Sequence, residues 1–123
     1  MAAAARGAQQ QGGRVLSLLP GKESRSTPVY ADADLQVNTG LTANGRNIVM
    51  ANAASAMVAV PGSHGSLQEM IIAVDAGTPV WAIGTHKTVL PGVEYVTTLD
   101  VLARQLRAVV DSLATPHLQP GPG

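Results

Sequence analysis

Apolar and polar positions fall in blocks along this chain, each with the length and period of one structural element. Residues 2–11 are alanine and glutamine around Arg6, a strong helix-forming mixture, and stop at Gly12-Gly13 as a helix C-terminus does. RVLSLL follows as a short apolar strand closed by Pro20-Gly21. Lys22 to Ala33 is polar and irregular, with Asp32 and Asp34 read as solvating a loop, and LQVNTG is a short strand. A cap at Thr42 or Asn44 opens a helix that runs to about Ala54. AMVAV is a continuous apolar run of strand length, the mark of a strand buried on both faces. From Leu67, apolar residues at Met70, Ile71 and Val74 keep the three-four spacing of a helix face, until Gly77 and Pro79 end it. PVWAIG and VEYVTT are further strands. Leu99 to Leu113 is an amphipathic helix with Leu102, Leu106, Val109, Val110 and Leu113 on its apolar side and Arg104, Arg107 and Asp111 mostly outside. Residues 115–123, TPHLQPGPG, hold too many prolines and glycines to fold and are predicted to form a disordered tail after a domain over residues 1–114.

Strands alternating with helices through short Gly/Pro turns predict an α/β fold, a parallel sheet with helices on both faces. Ligands of such sheets collect at the carboxyl ends of the strands. The loops to watch therefore follow Leu19, Val37, Val60 and Ile83.

Composition narrows the function classes. At 123 residues the chain forms one domain at most, with eight acidic and eight basic residues. No basic stripe points to nucleic acid and no polybasic cluster to an anionic membrane, and no apolar run is long enough to span one. The absence of cysteine removes disulfides, thiolate catalysis and Cys-type zinc sites, and fits a cytoplasmic location. With no phenylalanine and one tryptophan, the core is built from Val, Leu, Ile, Met and Ala. The start, MAAAARGAQQQGGR, is acid-free and Arg-containing as transit peptides are, but it lacks serine, and the helix reading ranks ahead. His64, His86 and His117 are not spaced as metal ligands, so no metal and no cofactor is expected.

The candidate chemistry lies in two stretches. PGSHGSLQE, Pro61 to Glu69, is a small-residue loop between a strand and a helix, where free backbone N–H groups and the helix dipole favour an anion, typically phosphate. Gly62 and Gly65 let the backbone approach a ligand, Ser63 and Ser66 add hydroxyls, and His64 lies within the loop. A structural alternative has equal or greater weight on spacing alone: Ser66 and Glu69 fit a capping box, each satisfying the other's backbone N–H. The second stretch is NTGLTANGRNIVM. If Asn44 is the cap, Arg46 sits in a first helical turn, where the dipole disfavours a cation and a ligand would favour one; Thr39 and Gly40 end the preceding strand.

PGSHGSLQE resembles the Pro-Gly-Gly-x-Gly-Thr-x-x-Glu signature of the Lonely Guy (LOG) family of Rossmann-like nucleotide-binding proteins, many once labelled lysine decarboxylases. GRVLSLLPG, NTGLTANGRNIVMANAASAMVAV and DAGTPVWAIG are similar to the family's flanking strands and Arg-bearing helix, and the nearest branch includes molybdenum-cofactor carriers. The resemblance implies a phosphoribohydrolase that cleaves the N-glycosidic bond of a nucleoside 5′-monophosphate, as in cytokinin activation, or else a non-catalytic carrier of a nucleotide or phosphorylated pterin. It implies phosphate held by Thr39, Gly40, Pro61, Gly62, Ser63, His64, Gly65 and Ser66, with Arg46 and Glu69 as the catalytic pair. A homodimer is the usual assembly of the family. Two positions depart from the signature: Ser63 replaces its second glycine, and Ser66 replaces its threonine while keeping the hydroxyl. The family also begins with two strands and a Gly-rich loop that have no counterpart in these residues. The resemblance thus implies a Rossmann-like domain truncated at the amino terminus, with an unpaired apolar edge along Ala56–Val60.

Overall fold

A computed structural model describes residues 1–21, 29–61 and 64–114, and for residues 64, 65 and 114 the backbone alone. The expectation of a disordered tail over residues 115–123 lies outside the described residues, as do Gly62 and Ser63 of the candidate loop. The chain divides into two compact units, Met1–Ala53 and Ala54–Gly123.

In the first unit the alanine-rich block forms helix α1, Ala2–Gln10. Its end is a Schellman turn: the Gly12 amide donates to Gln9 O at 3.0 Å and the Gly13 amide to Ala8 O at 2.8 Å, with Gly12 at φ 83°. Strands β1, Leu16–Leu19, and β2, Leu35–Asn38, pair in parallel with Leu16 opposite Leu35 and Leu19 opposite Asn38. β2 is exposed along its whole length, so this is a thin sheet. Helix α2, Thr42–Ala53, follows and buries Asn47 and Ala51. Its first residue is Thr42, which was expected, with Asn44, as a cap outside the helix, and Thr42 adopts φ 67°, a left-handed conformation unfavourable for a β-branched residue.

The second unit is strand β3, Met57–Ala59, helix α3, His64–Asp75, strands β4, Val80–Ile83, and β5, Val93–Val96, and helix α4, Leu99–Ala114. The three strands are parallel in the order β3-β4-β5. Central β4 buries Val80, Trp81 and Ala82 in succession, as a strand covered on both faces must. α4 packs on β4 and β5, where Trp81, Val96 and Leu102 cluster with Ile83, Leu106 and Val109; α3 packs on β3 and β4 and buries Met70 and Ala73. α3 ends as the glycine foretold, with the Gly77 amide on Val74 O and the Thr78 amide on Ala73 O, both at 3.0 Å.

Two expectations need correction. The strands form two parallel sheets, of two and three strands, where the pattern suggested one. Local periodicity identifies a strand but carries no information about its partner. AMVAV also does not form a strand buried on both faces: Met57 and Ala59 are buried, but Val58 and Val60 remain 39% and 43% exposed. β3 is the edge strand of its sheet, so an apolar run of the interior kind stands at an edge.

Candidate functional site

Each half of the expected site can be followed within its own unit. In the second unit β3 leads through Val60 and Pro61 to α3, whose first turn comprises His64, Gly65, Ser66 and Leu67. That turn, the positive end of the helix dipole, contains no acidic residue of its own. Ser66 and Glu69 are both half-buried, one turn apart, and Met70 beside Glu69 is sealed in the core. Glu69 is thus held on the second turn of a helix whose register is fixed by packing.

The loop after β4 adjoins this end of the sheet. Gly84 has φ 92°, and a Cβ there would stand 2.7 Å from Pro61 Cγ and 3.1 Å from Cδ. Glycine lets the β4 loop close on the first residue of the candidate cradle. The loop is braced further on: His86 Nε2–H donates to Ile83 O at 3.1 Å, and its ring meets Tyr95 edge-on with centroids 5.8 Å apart. The Tyr95 hydroxyl accepts from the Leu90 amide at 2.7 Å and donates to Thr88 O at 3.4 Å. His86 therefore has a structural role.

In the first unit Arg46 is partly buried on α2. Its Nη1 donates to Leu18 O at 3.1 Å and its Nε to Asn47 Oδ1 at 2.8 Å. The carbonyls of Val15 and Leu19 accept the amides of Leu35 and Thr39, at 3.1 and 2.9 Å. By alternation Leu18 O faces the other edge of β1, and Arg46 satisfies it there. Buried Asn47 fixes the guanidinium from the other side. Thr39 and Gly40 build the turn into α2: Thr39 Oγ1 donates to Leu19 O at 2.8 Å and accepts from the Leu41 amide at 3.3 Å, and Gly40 adopts φ 65°.

The expected residues are thus distributed: Thr39, Gly40 and Arg46 belong to the first unit, and Pro61, His64, Gly65, Ser66 and Glu69 to the second. Among the described residues no group of three His, Asp or Glu side chains is placed to hold a metal ion, and no helix is long and apolar enough to cross a membrane.

Sequence reasoning missed Asp34, which is no idle loop carboxylate. Its Oδ2 accepts the Val15 amide at 2.6 Å and Gln9 Nε2 at 3.2 Å, joining α1, the entry to β1 and the entry to β2. The Val15 amide above all, then Gln9, holds this carboxyl below the ordinary 3.8 of an aspartate. Its place one residue before a strand was a signal, but the partners lie 19 and 25 residues away in sequence.

The model of the SLOG cluster4 family, within the SMF/DprA-LOG superfamily, matches residues 1–109. An uncharacterized protein of Archaeoglobus fulgidus is 31% identical over 80 residues, which are 65% of this chain and 50% of that protein. Among solved structures, the molybdenum cofactor binding protein of the phototrophic bacterium Rippkaea orientalis superposes with a TM-score of 0.68 at 20% identity, over 87% of this chain and 69% of the other. That likeness shows a Rossmann-like fold. The chain spans about half the length of its archaeal relative.

Proposed function

The chain belongs to the SLOG cluster4 family, and on that premise we propose that it binds a phosphorylated small molecule, a nucleotide or a phosphorylated pterin, without transforming it. The phosphate is received by the backbone from Pro61 to Ser66 and the amino end of α3, with the Ser66 hydroxyl as a further donor. The observation that carries the reading is an acid-free first helical turn placed directly after a parallel strand, at the end of the sheet where such ligands bind. The molybdenum cofactor bound by the solved neighbour supports the pterin as cargo.

A second reading, the nucleoside-monophosphate phosphoribohydrolase, rests on Glu69. Cleavage of an N-glycosidic bond develops an oxocarbenium-like ribose, which a carboxylate stabilises. The binding reading has more support, because the solved neighbour is a molybdenum cofactor binding protein. Cytoplasmic location and homodimer assembly belong to the same proposal, and light scattering on the purified chain tests the latter.

The deciding experiment incubates the protein with adenosine 5′-monophosphate and with a phosphorylated pterin, following both melting temperature and release of free base. A binder is stabilised by about 2.7 kcal/mol at a ligand concentration one hundredfold above Kd, with no base released. Base release abolished in Glu69→Ala would establish the hydrolase instead. No stabilisation by either compound, together with no release of base, would defeat both readings.

A further inference from the structure

Helix α4 carries more apolar surface than its own sheet covers. Leu102, with Val101, Leu106 and Val109, packs on the cluster around Trp81 and Val96. Beside that side runs a second apolar line: Leu99, Ala103, Leu106, Val110 and Leu113, spaced alternately four and three residues apart. Leu106 alone belongs to both. Leu99 is 71% exposed, Val110 58% and Leu113 62%, and Ala103 is exposed as well. A mean spacing of about 3.5 residues along a whole helix is that of a helix–helix seam. The sheet continues the apolar surface. Val58 is the register partner of Trp81 and so lies on the face that α4 covers, yet it stays exposed, as does Val60.

The charges beside the seam decide what fits it. Asp100 and Arg107, each one place after a seam leucine, flank it on the side away from the sheet. In a parallel helix pair, the residues on one flank meet those on the other flank of the neighbouring helix. Here that other flank is Leu102 and Val109, already packed on the sheet, and it offers these charges nothing. In an antiparallel pair like flanks meet. With Leu99 opposite Val110 of a second copy and Ala103 opposite its Leu106, Asp100 comes beside Arg107 of the second copy, and Arg107 beside its Asp100. The surface is thus complementary to itself, as a two-fold interface requires, with an opposite-charge pair formed twice along its rim. The small side chain of Ala103 lets the two helices approach closely. We propose that this face of α4 is the interface of a homodimer, formed by antiparallel pairing with α4 of a second copy. Homodimer assembly thereby gains a surface, which rests on that reading and stands apart from the phosphate site.

Light scattering of the whole chain over a concentration series is expected to show a monomer–dimer equilibrium. Val110 is exposed in the single chain, so Val110→Asp should keep the native circular dichroism. It should raise the dimer dissociation constant about a hundredfold or more, because the two-fold makes each substitution act twice. Asp100→Arg and Arg107→Asp, taken singly, each set like charges together at both pairs and should weaken the dimer by about tenfold. Combined, the two reversals only exchange the partners and should restore most of the affinity. A merely structural role for either residue would leave the double variant no tighter than the singles, and that result would overturn the proposal. A chain that is monomeric at every concentration would overturn both the homodimer reading and this surface, and assign the seam to another occupant. A dimer unaffected by a folded Val110→Asp would keep the homodimer reading and overturn the surface alone. Should Val110→Asp fail to fold, the charge reversals decide the matter, since Asp100 and Arg107 are both exposed.

Discussion

Asp34 shows how one side chain can hold three segments together while remaining at the surface. Its carboxylate takes the Val15 amide and the Gln9 amide group, and Gln9 in turn accepts the Tyr30 hydroxyl at 2.9 Å and donates to Asp32 O at 2.8 Å. Such a carboxyl acts only while ionised. Its pKa in the folded chain lies below 3.8, so its contribution is complete at neutral pH and disappears as pH falls from about 3.8 through the lowered folded value. Asp34→Asn should therefore melt below the unaltered protein at pH 7, and the two melting curves should converge in strong acid. A gap that persists unchanged at pH 2 would mean that the carboxylate charge is not what Asp34 supplies. None of this was legible in the sequence, because Asp, Gln and Tyr in polar stretches carry no pattern that pairs them over 21 to 25 residues.

At the scale of elements, local signals sufficed wherever the physics is local. Every helix and strand among the described residues overlaps a block marked in the sequence, although α3 begins at His64, ahead of the Leu67 where its apolar spacing starts, and Gly12 and Gly77 end α1 and α3 by the expected turns. The start of α2 at Thr42 places Arg46 beyond the first turn, in which a cap at Asn44 would have put it. The meeting of elements was not legible. That Gly84 faces Pro61 depends on β3 and β4 being neighbours in register, with Ala59 opposite Ala82, and the sequence shows only a glycine after a strand. Gly84→Ala tests that junction. An L-residue held in the left-handed region costs about 1–2 kcal/mol, and the added methyl must also displace the Pro61 ring. Domains of this size lose about 4–8 °C of melting temperature per kcal/mol, so a drop of roughly 5 °C or more is expected. The same variant should weaken phosphate-ligand binding, since Pro61 leads into the proposed cradle. An unchanged melting temperature would show that the β4 loop is not seated on Pro61.

For the whole molecule, the sequence marked the carboxyl ends of the strands as the place of a site, a consequence of parallel topology alone. It gave no sign that the strands fall into two sheets of unequal quality. β4 is paired on both sides and buried at Val80, Trp81 and Ala82, whereas β2 has one partner and is exposed at every position. Exposed apolar residues, Leu16 at 55% and Leu35 at 58%, face each other across the two-stranded sheet and withdraw little surface from water. The apolar interior is concentrated in the second unit, around Met70, Trp81, Val96 and Leu102. Stability follows buried area and doubly paired backbone, so opening is expected to be graded across the chain. Native-state hydrogen exchange should show the amides of β4 among the best protected and those of β1 and β2 exchanging earlier, through local opening that leaves the second unit folded. A ligand bound at the amino end of α3 should then slow exchange in α3 and β3 more than in α1. Equal protection of β2 and β4 would mean that the two units open together and that the exposed sheet is stabilised by more than its own pairing.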